Sequence, residues 1–97
     1  MIAKHDLKSF AKSEEIYFFD NNQFLGNPGQ TTRNGGGTSD FTLSDFKPSE
    51  GVSITVISGD PFNPFDPSTP YIIQATHILN SSNKFEYNFA TKQITKK

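Results

Sequence analysis

The sequence predicts a mainly β fold, a small antiparallel sandwich or partly open barrel of five to six strands with one short N-terminal helix. Three observations carry that expectation. Apolar and polar residues alternate with a period of two in several stretches of the second half, the mark of strands with one buried face. Those stretches are separated by segments rich in Gly, Asn, Asp, Ser and Pro, which turn the chain too often for long helices or parallel crossovers. At 97 residues, moreover, the chain is one β-rich domain spanning 1–97, with room for a single modest core.

The helix is expected over 2–13, where Ala3, Leu7, Phe10 and Ala11 share one face and Lys4, Lys8 and Lys12 recur every fourth residue on another. Its apolar stripe is small, which suits a cover over one end of the core or an arm onto a neighbour. In "IYFFDNNQFLG", apolar runs flank Asp20-Asn21-Asn22, residue types that tolerate positive φ, so the spacing predicts a hairpin or sharp strand bend. Residues 26–40 hold five glycines and one proline and read as a flexible loop, of the length at which loops are functional or disordered.

Strands follow. "DFTLSDF" is expected as one, with Phe41, Leu43 and Asp45 opposing Thr42, Ser44 and Phe46. Val52, Ile54 and Val56 alternate with Ser53 and Thr55, and Tyr71, Ile73, Ala75, His77 and Leu79 form one face of the next strand. The last places Phe85, Tyr87 and Phe89 against Glu86 and Asn88 and turns again near Ala90-Thr91-Lys92. Between the second and third of these strands, residues 59–70 form a proline-rich crossover.

Within that crossover, Asp60-Pro61-Phe62, Asn63-Pro64-Phe65 and Asp66-Pro67-Ser68 follow one another without a break. Proline fixes φ near −65°, restricts the residue before it to extended geometry and removes a backbone donor, while the Asx side chain accepts a nearby amide. The result is a stiff segment that cannot join a central sheet and that projects Phe62 and Phe65 at a regular interval. Two roles fit it: both rings plug an end of the barrel, or one or both face outward as anchors for another protein or another copy of the chain. The triplets Asp-Pro-Phe and Asn-Pro-Phe also resemble the short endocytic motifs bound by clathrin-adaptor appendage domains and EH domains. That resemblance covers six residues and implies such modules as partners.

Chemistry is poorly represented. Nucleophilic catalysis needs a Ser, Thr or Cys against a base, and the bases on offer are His5, among lysines, and His77, on an apolar strand face. No G-x-S-x-G elbow is present, and the acids are scattered over turns, where Asp serves turn geometry. Zero cysteines exclude a disulfide framework, a thiolate nucleophile and a thiolate metal site. Asp60, Asn63 and Asp66 offer oxygens from one loop, yet their spacing matches no EF-hand and the prolines stiffen the backbone that would wrap an ion. "RNGGGTSD" lacks the Gly-Lys-Ser/Thr ending of a phosphate loop. The expectation is therefore a non-enzyme with no metal, no cofactor and no small-molecule substrate.

Net charge is −1, which gives no overall field toward nucleic acid or an anionic membrane. No stretch approaches the length of a membrane span, and the N-terminus has no signal-peptide pattern, so synthesis in the cytoplasm without a leader is expected. With 33% apolar residues but ten phenylalanines, a few rings must carry most of the burial. The functional expectation is a protein–protein interaction module or homo-oligomer, a small structural component of a larger assembly such as a virion. Its contact residues would be Phe62, Phe65, Arg33 and Gly36. The alternatives are a standalone inhibitor or adaptor that binds one host protein, and a single-stranded nucleic-acid binder that stacks bases on Phe85, Tyr87 and Phe89 beside Lys84.

Overall fold

A computed structural model describes residues 2–97. The fold is mainly β, one antiparallel sheet of five strands with a single N-terminal helix. Helix α1 spans Ile2–Asn21, and the strands are β1 (Thr31–Arg33), β2 (Val52–Ser58), β3 (Ile72–His77), β4 (Asn80–Asn88) and β5 (Gln93–Lys96). They neighbour one another in sequence order, β1-β2-β3-β4-β5, every pair antiparallel. No helix among the described residues is long and apolar enough to cross a membrane.

The helix runs through the stretch that sequence alone assigned to a strand. Ile16, Tyr17, Phe18 and Phe19 are strand-favouring types in a row, yet Tyr17 and Phe18 continue the buried face of Ala3, Leu7, Phe10 and Ala11 at helical spacing while Ile16 and Phe19 are exposed. The link between the two halves is Glu14, fully buried on that same face, and its charge disguised the period. Asp20-Asn21-Asn22 is a helix end and not the expected hairpin turn: Asp20 and Asn21 are the last helical residues. Asn22 adopts φ 59°, and its N–H bonds the Phe18 carbonyl at 2.8 Å.

Helix α1 packs on β2, β3 and β4. Val52, Ile54 and Val56 of β2, Ile73 and Ala75 of β3, and Phe85 of β4 point inward to meet it, as the alternation required. One end of this core is aromatic. Phe24 lies at its centre, with its ring centroid 4.9 Å from Tyr71, 4.7 Å from Phe89, 5.6 Å from Phe18 and 5.5 Å from Phe65. These are edge contacts, the arrangement that aromatic quadrupoles favour.

Two further segments depart from expectation. Within residues 26–40, Thr31 and Thr32 are buried in β1, and Thr31 bonds Thr55 across the strands, hydroxyl to hydroxyl, at 2.9 Å. Residues 41–46 form no strand of the sheet. They make one isolated bridge, Leu43 to Phe46, and set Phe41 and Phe46 edge-on to Phe10 of the helix. The alternation there was real but too short to specify a pairing partner, and three apolar groups gained more by covering the helix.

The turn between β3 and β4 also falls earlier than the pattern implied. His77 pairs with Asn80, so Ile78 and Leu79 form the turn and stand exposed. The turn is held by Ile78 N–H on the Gly51 carbonyl, 2.8 Å, and Leu79 N–H on His77 Nδ1, 3.1 Å. His77 thus serves its own hairpin.

Candidate interaction surface

The Asx-Pro segment is built from turns that fix one another. Asp60 Oδ1 accepts the Phe62 amide at 2.9 Å, and the Asp60 carbonyl accepts Asn63 N–H at 3.0 Å. Three residues on, Asp66 Oδ1 accepts both the amide and the hydroxyl of Ser68, at 2.9 and 2.8 Å. These bonds hold the Asp66 carboxyl below the usual carboxylate range, the Ser68 amide contributing most. The repeat is a ladder with Asx turns at Asp60 and Asp66, bridged by Asn63 Nδ2 donating to Asp66 Oδ2 at 3.4 Å.

The ladder is stitched to the fold at two carbonyls. Phe24 N–H donates to the Pro61 carbonyl at 2.8 Å, and Tyr71 N–H to that of Pro64 at 3.2 Å. The Pro64 ring is fully buried. Phe65 turns inward onto Phe18, Phe24 and Phe89, with the Lys92 ammonium 5.4 Å from its ring centre. Phe62 goes the other way, 69% exposed on a backbone held at both ends. The two rings thus differ: Phe65, 38% exposed, packs one side on the core, and Phe62 faces solvent. The packing of Phe65 and Pro64 also separates the Asn-Pro-Phe triplet from a freely presented endocytic motif.

Beside Phe62 opens a cleft of about 390 Å³, walled by Phe24, Leu25, Phe41 and Pro61 with Gln30 and Asp40 at its polar side. The aromatic floor and the displayed ring belong to one surface. Arg33 and Gly36 do not. They lie beyond the Val52 end of β2, whereas Phe62 follows its Ser58 end, so the sheet separates the expected contact residues into two groups. At the far end Ser39 Oγ accepts Arg33 N–H at 2.9 Å and donates to the Arg33 carbonyl at 3.1 Å, and a Cβ placed on Gly36 would stand 3.8 Å from the Ile78 side chain.

The aromatic strand corrects another expectation. Phe85 and Phe89 are buried in the core and Tyr87 is half-buried with its ring edge-on to Phe89 at 4.7 Å. Lys84, in mid-strand beside Phe85, is exposed, and its carbonyl accepts Lys97 N–H. Three aligned rings facing solvent are what base stacking needs, and this strand faces the core instead.

Two buried acids were not foreseen as structural. Asp6 accepts the amide and hydroxyl of Ser49, at 2.7 and 3.0 Å, and so ties the helix to the turn that precedes β2. Glu14 Oε1 accepts Leu25 N–H at 2.8 Å, and its Oε2 lies 3.3 Å from the Tyr71 hydroxyl. Tyr71 has one hydroxyl proton, and its shortest bond, 2.7 Å, is to the Gly26 carbonyl. The Glu14–Tyr71 contact is then left for a carboxyl proton. Burial pushes Glu14 up to about 8 against the bond from the Leu25 amide, and burial together with Glu14 raises Tyr71. The signal in the sequence was an acid at core-face helical spacing. Comparison of the chain with family models, curated proteins and solved structures finds no match.

Proposed function

We propose that this chain is a non-enzymatic protein–protein interaction module, a small component of a larger assembly, and that it binds through Phe62 and the adjoining cleft. The observation that carries this reading is the division of the two phenylalanines: Phe65 anchors the segment so that Phe62 is presented, 69% exposed, on a pre-formed frame. A large ring held in place binds with little further loss of conformational freedom, which is what makes aromatic side chains effective anchors. The neighbouring cleft of about 390 Å³ gives a partner side chain somewhere to go in return.

The test compares wild type with Phe62→Ala as immobilised baits at equal density, alongside molar mass in solution over a concentration series. The reading expects a protein, either another copy or a distinct partner, that binds the wild type and loses at least tenfold with Phe62→Ala while the fold is unchanged by circular dichroism. Equal binding by both baits would refute it.

A further inference from the structure

A second surface lies on the flank of the helix. Between α1 and the β4–β5 hairpin opens a groove of about 490 Å³, with Lys4, Lys8, Lys12 and Lys92 on its walls and Tyr87 and Ile94 on its floor. We propose that this groove docks an extended acidic segment of a partner protein, carboxylates at alternate positions meeting Lys4, Lys8 and Lys12 and its main chain lying along the free edge of β5.

Charge points first to such an occupant. The one carboxylate lining the groove, Glu15, is already held by Lys92 at 3.0 Å, and the other ion pair among the described residues joins Lys97 to Glu86 outside it. Lys4, Lys8 and Lys12 are exposed and have no carboxylate partner among the described residues. Like charges four residues apart destabilise a helix, so this row opposes the fold that carries it until a counter-charge arrives.

Spacing points to an extended chain. Residues four apart on a helix rise about 6 Å, while alternate residues of a strand, which share a face, are about 6.6–6.8 Å apart. Acidic residues at every second position of a chain that runs along the helix therefore keep step with the three lysines. The sheet supplies the second half of the argument. β5 is an edge, and Lys97 N–H bonds the Lys84 carbonyl, so by antiparallel alternation Thr95 bonds Glu86 while the backbone groups of Ile94 and Lys96 turn outward. An incoming strand finds donors and acceptors waiting. Lys96, exposed on that edge, disfavours a second copy of the same strand and favours an acidic one.

A single-stranded nucleic acid shares the negative charge but fits less well. The groove offers one ring, Tyr87, already edge-on to Phe89, and the chain as a whole carries a net charge of −1.

The experiment titrates the full chain with a synthetic peptide alternating Glu and Val, followed by amide chemical shifts in low salt. Two control ligands are used: a peptide of identical composition with its glutamates in one block, and oligo-thymidine of matched charge. The expected result is binding of the alternating peptide, with the largest shifts at 93–96 and Tyr87, and two- to fivefold weaker binding for each of Lys4→Gln, Lys8→Gln and Lys12→Gln. These lysines are exposed, so the variants retain the fold, and Phe62→Ala leaves this binding unchanged. No binding in low salt, equal binding of the block peptide, tighter binding of oligo-thymidine, or shifts confined to residues outside the groove would each overturn the proposal.

Discussion

Replacing Glu14 by Gln is expected to stabilise this protein at neutral pH, increasingly so as pH rises. Glu14 is fully buried, and burial raises its carboxyl from 4.5 to about 8. A carboxyl raised on folding contributes its stability in full below 4.5, where both states are protonated, and loses it as pH rises through about 8. Across that window the unfolded chain has released a proton that the folded chain keeps, so stability falls by roughly 1.4 kcal/mol per pH unit. By pH 7 the loss amounts to about 3 kcal/mol, a large share of the ~5–15 kcal/mol that holds a domain together. Glutamine has the same shape, accepts Leu25 N–H with its Oε1 and donates to the Tyr71 hydroxyl with its Nε2, without a charge to desolvate. Urea denaturation of both proteins at pH 5, 6, 7 and 8 measures the difference at each pH. The Gln variant should gain on the wild type at each step. A difference that stays constant over the series, or a Gln variant that falls progressively behind, would show that the folded protein carries Glu14 ionised and that the proton assigned to its contact with Tyr71 is absent.

Three other outcomes are expected. Phe65→Ala should cost about 2 kcal/mol in urea denaturation and Phe62→Ala under about 0.5, because one ring packs on Phe18, Phe24 and Phe89 while the other is solvated. Gly59→Ala should cost about 3 kcal/mol or more, with expression of folded protein as the first readout. Gly59 has φ +112°, and an added Cβ would sit 2.3 Å from the Tyr71 Cα, a backbone atom that cannot step aside. Ser68→Ala should move the Asp66 carboxyl titration upward, toward but not up to the ordinary range, since the Ser68 amide still donates to it; carbon-detected NMR titration reads this directly.

Much of the sheet was determined by sequence alone. The alternation of Val52, Ile54 and Val56, of Tyr71, Ile73 and Ala75, and of Phe85 with Phe89 states which side chains leave water, and a period of two admits one answer wherever a single face is buried. The positive φ at Asn22 and the Asx turns of the proline-rich segment were equally legible, because they rest on φ limits and side-chain bonds within a few residues. What only the tertiary structure decided lies where local preference is silent or points both ways. Ile16 to Phe19 would make a good strand and became helix because Glu14 could be buried with partners at Leu25 and Gly26–Tyr71, contacts eleven and more residues away. β1 formed from three residues of a glycine-rich loop because β2 had an open edge beside it. Phe62 and Phe65 occupy equivalent places in a repeating triplet, so no local rule separates them. Phe18, Phe24 and Phe89 lie within reach of Phe65 alone, so Phe65 packs one side of its ring on them and is 38% exposed, while Phe62 is 69% exposed. Packing against distant residues distinguishes what an almost identical local sequence cannot.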